Sequence, residues 1–343
     1  MANSNIITEF EKLVKVIEND LNNSNDMKTK TANTFRLRQT KNSLSIIKKY
    51  PKTINNDTID DFKELPGIGR GTIDRIEEIL STNKLEETKD FKEDKTMKEH
   101  NKALEDLESV VGIGRSHAIE LIKQGITSVM KLKKAIDNNS IRVNEKIALG
   151  VKYHKVFEGN IPRAEITKVY KLLKKVIDKL NKQFNKQYIF EICGSYRREK
   201  QTSGDIDVLI SKKTINQDDN DNDLEKIIKA LKDPLKTNDN KPFLIDDMTD
   251  NYKTKYMGFS QYKKNKVRRI DIRFVPYESY FSALLYFTGP AELNKTMRTE
   301  AKKKDLKLSE YGLTKKDGTR IPINSEYDVF KILEMQYLPP NQR

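Results

Sequence analysis

The sequence predicts an α+β fold in which a helical half precedes a mixed β-sheet. Three observations carry this. Apolar residues recur at helical spacing through the first 160 residues, and after Pro162 the pattern changes to helices mixed with strands. A glycine-punctuated segment occurs twice in the helical half. In the second half, "CGSYRREKQTSGDIDVLI" (193–210) sets two aspartates one residue apart at the start of an apolar run. A chain of 343 residues has room for two or three domains, since a single core of that size is unusual.

The elements follow in order. Ile6, Ile7, Phe10, Leu13, Val14, Ile17 and Leu21 form the stripe of a first helix. "NSLSIIKKYP" reads as a second helix stopped by Pro51. "LPGIGRGTIDRIEEIL" is a Gly-x-Gly turn opening an amphipathic helix, and "VVGIGRSHAIELIKQGI" repeats it 45 residues later. The polar stretch "NKLEETKDFKEDKTMKEHN" between them suits a linker or an exposed helix. Ile166, Val169, Leu172, Leu173, Val176, Ile177 and Leu180 mark a strong helix. "YIFEICG", "DIDVLI", "KYMGFSQY" and "VRRIDIRFVP" read as strands. The acidic tract "NQDDNDNDLEK" reads as a solvated loop. "YFSALLYFTGPAELNKTMRTEAKKK" is helical, with short strand-and-turn material after it.

Composition narrows the function. The net charge is +14 with lysines spread along the chain, which points to a polyanionic partner, nucleic acid ahead of membrane. A lysine-rich composition set by genomic base bias would give the same balance, so the motifs must decide. No apolar run approaches the roughly 20 residues of a bilayer crossing. The N-terminal segment lacks a basic region followed by an apolar one, so no signal peptide is expected. The one cysteine, Cys193, has no internal disulfide partner, which suits a reducing intracellular compartment.

In the repeated segment Gly67, Gly69 and Arg70 match Gly112, Gly114 and Arg115. Glycines so spaced let the backbone turn tightly and bring amide N–H groups to a ligand, with the positive end of the next helix behind them. Such a turn grips a phosphodiester without reading bases, and its carbonyls can hold a monovalent cation. A lone Gly-x-Gly is also an ordinary structural turn. Two copies with matching apolar flanks resemble the helix-hairpin-helix motif. No strand leads into either copy, so neither is a dinucleotide fingerprint.

Asp205 and Asp207 share one face if the segment is a strand. Like charges so close repel, and a cation between them removes the repulsion. Asp271, inside the apolar pattern "RRIDIRF", supplies a third carboxylate, and hard divalent ions take oxygen ligands. Two ions held by three acids can activate a hydroxyl and neutralise a leaving phosphate. Gly194 permits close backbone approach there, Ser195 offers a hydroxyl to a phosphate and Arg198 adds charge. A salt-bridged edge strand using Arg197, Arg198 and Arg269 is the competing explanation.

"GSYRR…SGDID" with "RRIDIR", "YFTGPAELNKTMR" and "SEYG" resembles the nucleotidyltransferase core of the X-family DNA polymerases, and with the two hairpins the resemblance spans nearly the whole chain. It implies a lyase-type helical domain over 1–92, a second helical DNA-binding part over 93–161, a catalytic palm over 162–276 and a nucleotide-selecting subdomain over 277–343. By position, Asp205, Asp207 and Asp271 would be catalytic and bind two magnesium ions, with manganese as the alternative. Arg163, Gly194, Ser195, Arg198, Ser203 and Gly204 would hold the incoming triphosphate. Tyr286, Phe287 and Gly289 would line the sugar pocket, and Asn294 would meet the base. Lys295 and Arg298 would touch the template side and Arg269 the primer end. Phe35 would stack on a template base. Gly67 and Gly69 would bind the DNA end beyond a gap, and Gly112 and Gly114 the primer strand. Lys63, Leu65 and Ile68, and Glu108, Val110 and Ile113, would offer carbonyls to a sodium or potassium ion at each hairpin.

Two departures stand out. Ala291 stands where the resemblance implies an acid near the base. Arg75 and Gly71 stand where it implies the lysine nucleophile of the lyase reaction and its basic neighbour. Imine formation needs a deprotonated primary amine, which arginine does not offer. Lys63 and Lys84 are the nearest substitutes. The function this implies is gap filling in base excision repair, with gapped or nicked 5′-phosphorylated DNA and dNTPs as partners. The resemblance also implies a monomer, and a DNA ligase or an abasic-site endonuclease as protein partners. A further histidine- and aspartate-rich proofreading domain is not expected. Template-independent terminal addition is the enzymatic alternative. It calls for a long template-displacing loop, whereas the segment between "FLIDDM" and "KYMGF" is short. A non-catalytic scaffold that binds DNA ends is the other, and it has no need of three clustered acids.

Overall fold

A computed structural model describes residues 3–24, 26–65, 67–89, 91, 95–156, 160–213, 222–237 and 241–343. The chain divides into two compact units, Met1–Glu99 and His100–Arg343.

The first unit packs α1 (Ser4–Asn23), α2 (Met27–Lys49), α3 (Ile59–Lys63) and α4 (Arg70–Thr82) around Phe10, Leu13, Ile17, Ile47, Phe62 and Ile76. Helix α2 starts well before the segment that the sequence marks, because the Asp26 carboxylate caps it by accepting from the Lys28 and Thr29 N–H groups. It ends at Lys49, ahead of Pro51, whose ring disfavours helical backbone in the residue before it. The charged stretch after α4 is only partly a surface segment. Leu85 and Thr88 are buried, and the buried Glu9 carboxylate accepts from the Leu85 N–H at 3.2 Å and the Thr88 hydroxyl at 2.8 Å. Asp90 and residues 92–94 of that stretch lie outside the described residues. Helix α5 (Lys95–Glu108) follows.

In the second unit the latter part of α5 packs with α6 (Arg115–Lys123), α7 (Val129–Asp137) and α8 (Glu145–Lys152) around Leu104, Leu107, Leu121, Leu132 and Ile147. Next come β1 (Ile161–Pro162), the long α9 (Arg163–Phe184), β2 (Tyr188–Ile192), α10 (Gly194–Arg197), β3 (Thr202–Ser203) and β4 (Ile206–Lys212). Helices α11 (Asp223–Lys232) and α12 (Pro234–Thr237) lead to β5 (Leu244–Asp247), β6 (Lys255–Ser260) and β7 (Arg268–Pro276). The five-stranded sheet runs β2-β4-β7-β6-β5. It is mixed: β4 and β7 are parallel and the other pairs antiparallel. Ile166, Val169, Leu173 and Ile177 of α9 cover it together with α11. β1 and β3 form a separate antiparallel pair.

The C-terminal part holds α13 (Tyr280–Thr288), α14 (Ala291–Lys303), β8 (Leu306–Ser309), β9 (Gly312–Lys315), β10 (Arg320–Ile321) and α15 (Glu326–Ile332). Its three strands form an antiparallel sheet, and Leu285, Met297, Leu313, Val329 and Phe330 are its core. The segment that reads as one helix over 280–304 is two, interrupted at Gly289–Pro290, where Gly289 takes φ +65° and proline supplies no N–H. The acidic tract needs a similar correction. Residues 214–221 lie outside the described residues, but Asp223 is buried in α11, with its carboxylate accepting from the Tyr188 hydroxyl at 2.5 Å and the Lys212 ammonium at 2.9 Å. No helix of the described residues is long and apolar enough to cross a membrane.

Candidate active site

The site is assembled by the parallel pairing of β4 and β7. Asp207 lies directly across from Asp271 in that register, and Asp205 stands one residue ahead of β4. Each of the three carboxylates offers an oxygen, and these oxygens lie within 4.8 Å of one another. β4 is interior to the sheet, so an edge strand does not explain the acids.

Charge at this point is under-compensated. Arg269 Nη2 lies 2.6 Å from Asp271 Oδ2 and 3.6 Å from Asp205 Oδ2. Asp271 Oδ1 is buried without a hydrogen-bond donor. Burial first, then the Asp205 and Asp271 charges, push the Asp207 carboxyl up to about 7 against the pull of Arg269 and Arg198. Burial also raises Asp271, and the nearby Arg269 only partly offsets it. Three carboxylates with one buried, unpartnered oxygen and a single close guanidinium fit a divalent cation's needs.

Gly194, at φ +55°, opens α10 beside this cluster. A Cβ there would stand 2.5 Å from Asp207 Oδ2, so glycine is required both for the backbone and for the space. The other residues the sequence singles out gather around it unevenly. Arg198 Nη2 approaches Ser195 Oγ at 3.4 Å, while its Nη1 donates to the Thr288 carbonyl. Arg163 is turned onto Tyr196: its Nη1 donates to the Tyr196 carbonyl at 2.6 Å and its guanidinium lies 4.3 Å from the ring centre. Ser203 is buried with a partnerless hydroxyl, and the space beside Gly204 is open. The Tyr286 and Phe287 rings meet edge-on at 5.2 Å. Asn294 Nδ2 donates to the Tyr286 carbonyl at 2.7 Å, Arg298 lies 5.9 Å from the Tyr286 ring, and Lys295 pairs with Glu292 at 2.7 Å.

Arg273 was not foreseen. Its guanidinium stands 5.8 Å from the Phe287 ring centre, and its charge acts on Asp271. The alternation Arg269, Asp271, Arg273 on one strand is the signal that could have found it. Arg197 joins none of the three acids. It forms a fork with Glu326 at 2.9 and 2.7 Å, and Glu326 also receives Arg343 at 2.7 Å.

The two hairpins repeat each other in geometry. Gly67 and Gly112 take φ +93° and +100°, and Gly69 and Gly114 are extended at the N-termini of α4 and α6 with open space beside them. The Leu65 carbonyl accepts from the Ile68 N–H at 3.1 Å and the Val110 carbonyl from the Ile113 N–H at 3.0 Å. Phe35 is 64% exposed on α2. Arg75 is fastened, with Nε donating to Glu87 at 2.6 Å and Nη1 to the Gly71 carbonyl at 2.9 Å. The Lys63 ammonium is held by Asp60 at 3.0 Å and Glu77 at 3.5 Å, and the Asp60 hydrogen bond raises its pKa above the ordinary lysine value.

Comparison with known proteins agrees with this layout. Residues 160–277 match the DNA polymerase beta palm family, residues 283–343 the DNA polymerase beta thumb family and residues 1–85 a helix-hairpin-helix domain family. DNA polymerase lambda of Arabidopsis thaliana is 29% identical over 316 residues, covering 88% of this chain and 56% of that protein. DNA polymerase lambda of Rattus norvegicus is 28% identical, covering 86% of this chain and 52% of that protein. DNA nucleotidylexotransferase of Xenopus laevis is 25% identical, covering 87% and 62%. The chain thus spans about half the length of the DNA polymerase lambda proteins it matches. With palm, thumb and hairpin domains matched in order along one chain, it belongs to the X family of DNA polymerases.

Proposed function

We propose that the chain is a DNA-directed DNA polymerase that fills short gaps during base excision repair, joining dNTPs to a primer 3′-hydroxyl. The observation that carries this is the convergence of Asp205, Asp207 and Asp271 within 4.8 Å, with a buried, partnerless oxygen on Asp271. Those three residues would hold two magnesium ions, with manganese as the alternative. Bound there, such ions lower the pKa of an attacking hydroxyl and neutralise charge on a leaving phosphate.

The remaining work falls to the chain's own side chains. Arg198, Ser195 and Arg163, with Gly194, Ser203 and Gly204 beside them, receive the triphosphate. Arg163 must leave Tyr196 to do so. Tyr286, Phe287 and Gly289 crowd the sugar's 2′ position, and Asn294 meets the base edge. Lys295 and Arg298 face the template and Arg269 the primer end. The hairpin glycines receive DNA backbone, with sodium or potassium at the carbonyls of Lys63, Leu65 and Ile68 and of Glu108, Val110 and Ile113, and Phe35 stacks on a template base. The connection from β5 to β6 covers only 248–254, which favours templated synthesis over terminal addition.

The four-part organisation, at 1–92, 93–161, 162–276 and 277–343, is part of this reading. Apolar cores around Phe10, Leu107, Ile270 and Phe330 support it, and a fifth cluster with Leu209, Val275, Tyr280 and Leu284 joins the last two parts. Gapped 5′-phosphorylated DNA and dNTPs are the partners of a monomer working in a reducing compartment. Lyase chemistry is weak or absent, since Arg75 cannot form an imine and the Lys63 ammonium is paired with Asp60 and Glu77. Primer extension on a one-nucleotide gap, with and without a 5′-phosphate, tests the proposal beside an unprimed template. Extension only on the gap, favoured by the 5′-phosphate, is expected. Equal addition to unpaired ends would instead point to terminal transfer.

A further inference from the structure

Helix α13 ends at Thr288, and the last carbonyls of a helix have no partner within it. One of them, on Leu285, accepts from the Gly289 N–H at 3.1 Å. Two others are satisfied by side chains from elsewhere in the chain. The Tyr286 carbonyl accepts from Asn294 Nδ2 at 2.7 Å, and the Thr288 carbonyl from Arg198 Nη1. A cation is well placed there, at the negative end of the helix dipole. Arg197 adds a third hold through Thr288 Oγ1 at 2.7 Å.

We infer that sugar selection by this chain is set by Arg198 and Asn294, which hold the pocket wall Tyr286–Gly289 from behind without touching the sugar. The inference rests on the polymerase reading. Selection by crowding is only as strong as the wall's resistance to displacement. The wall here is the final turn of a helix, which frays unless its carbonyls are capped. Both residues can cap the helix and serve the nucleotide together. Guanidinium has five donors in a fork, so Nη1 can stay on Thr288 while Nη2, only 3.4 Å from Ser195 Oγ, turns to a phosphate. A primary amide has two N–H donors and an acceptor, so Asn294 can keep Tyr286 while meeting a base edge.

This separates positioning from binding. Triphosphate and base contacts are the same for ribo- and deoxyribonucleotides, so losing them weakens both alike. Only a softened wall changes their ratio. Asn294→Asp keeps the shape but cannot donate to the carbonyl. Asn294→Ala removes the cap altogether. Arg198→Lys keeps the charge for phosphate but loses the fork that reaches both groups. The test measures kcat and KM for dATP and ATP opposite thymine in a one-nucleotide gap. Beside it, equilibrium binding of the two nucleotides is measured on the same gap with a dideoxy-terminated primer.

Each variant should raise the ATP/dATP efficiency ratio by about fivefold, the scale of one net hydrogen bond, with the binding ratio moving in the same direction. Equal weakening of both nucleotides with the ratios unchanged would overturn the inference and leave the two residues as plain nucleotide contacts. Failure of the unaltered chain to extend the primer would count against the polymerase reading instead, and the binding ratio would then decide this one.

Discussion

Gly194→Ala isolates the geometry on which the candidate site depends. Two costs follow from the structure. The backbone at residue 194 has φ +55°, and alanine in the left-handed region costs about 1–2 kcal/mol. The new Cβ would lie 2.5 Å from Asp207 Oδ2, well inside the 3.0 Å that side-chain carbons do not cross. The Asp207 main chain is committed, with its carbonyl accepting from the Cys193 N–H at 2.8 Å and its position in the β4–β7 register fixed opposite Asp271. The carboxylate therefore has to shift from its present place beside the other two acids. Displacing a reacting group by about 1 Å costs on the order of 100-fold in rate, so kcat in single-nucleotide gap filling should fall by about that factor. Gly318→Ala is the matched control. Gly318 has φ +86° with open space beside it, so it carries the backbone cost without the collision. Gly194→Ala should lose at least as much stability as Gly318→Ala in a urea titration, and only Gly194→Ala should lose activity. Equal activity in the two would show that Asp207 does not need its present position and would refute the reasoning.

Other consequences are as direct. Asp271→Ala should abolish nucleotide addition while DNA binding holds or strengthens, because a negative charge leaves the proposed site; near-unaltered extension in magnesium would remove Asp271 from the chemistry. Glu326 is buried, which works to raise its pKa, but the hydrogen bonds and charges of Arg197 and Arg343 outweigh that and hold it below the usual carboxylate range. Its stabilisation is therefore present above its unfolded pKa and is lost as pH falls through the lower folded value. Glu326→Gln should cost up to about 3–5 kcal/mol at pH 7, since it removes the countercharge from two partly buried guanidinium groups, and the difference from the unaltered chain should shrink in strong acid. A urea-measured difference that is the same at both pH values would contradict this. Borohydride reduction on a pre-incised abasic substrate should trap little or no covalent adduct, and strong trapping that survives replacement of both Lys63 and Lys84 would mean another amine performs the reaction.

Short-range demands on the backbone were legible in the sequence by itself. The two hairpins announce themselves because a tight turn needs glycine where φ is positive and an open helix start two residues later, and both needs lie within three positions of the chain. The strands and the shared face of Asp205 and Asp207 follow from a period of two, and a charged pair in an apolar run already asks for a cation. What only the tertiary structure decided is which distant groups meet. Asp271 stands opposite Asp207 because β4 and β7 pair in parallel in one register, and a shift by one residue would have turned it to the other face. Asp223, read as a loop residue in an acidic run, is drawn into the core because Tyr188 and Lys212 of neighbouring strands supply the donors that a buried carboxylate requires. Arg198 reaches Thr288 and Arg197 reaches Glu326 across separations of 90 and 129 residues. Local propensity carries no record of such partners, since they are selected by the packing of whole elements and by the cost of leaving any buried charge alone.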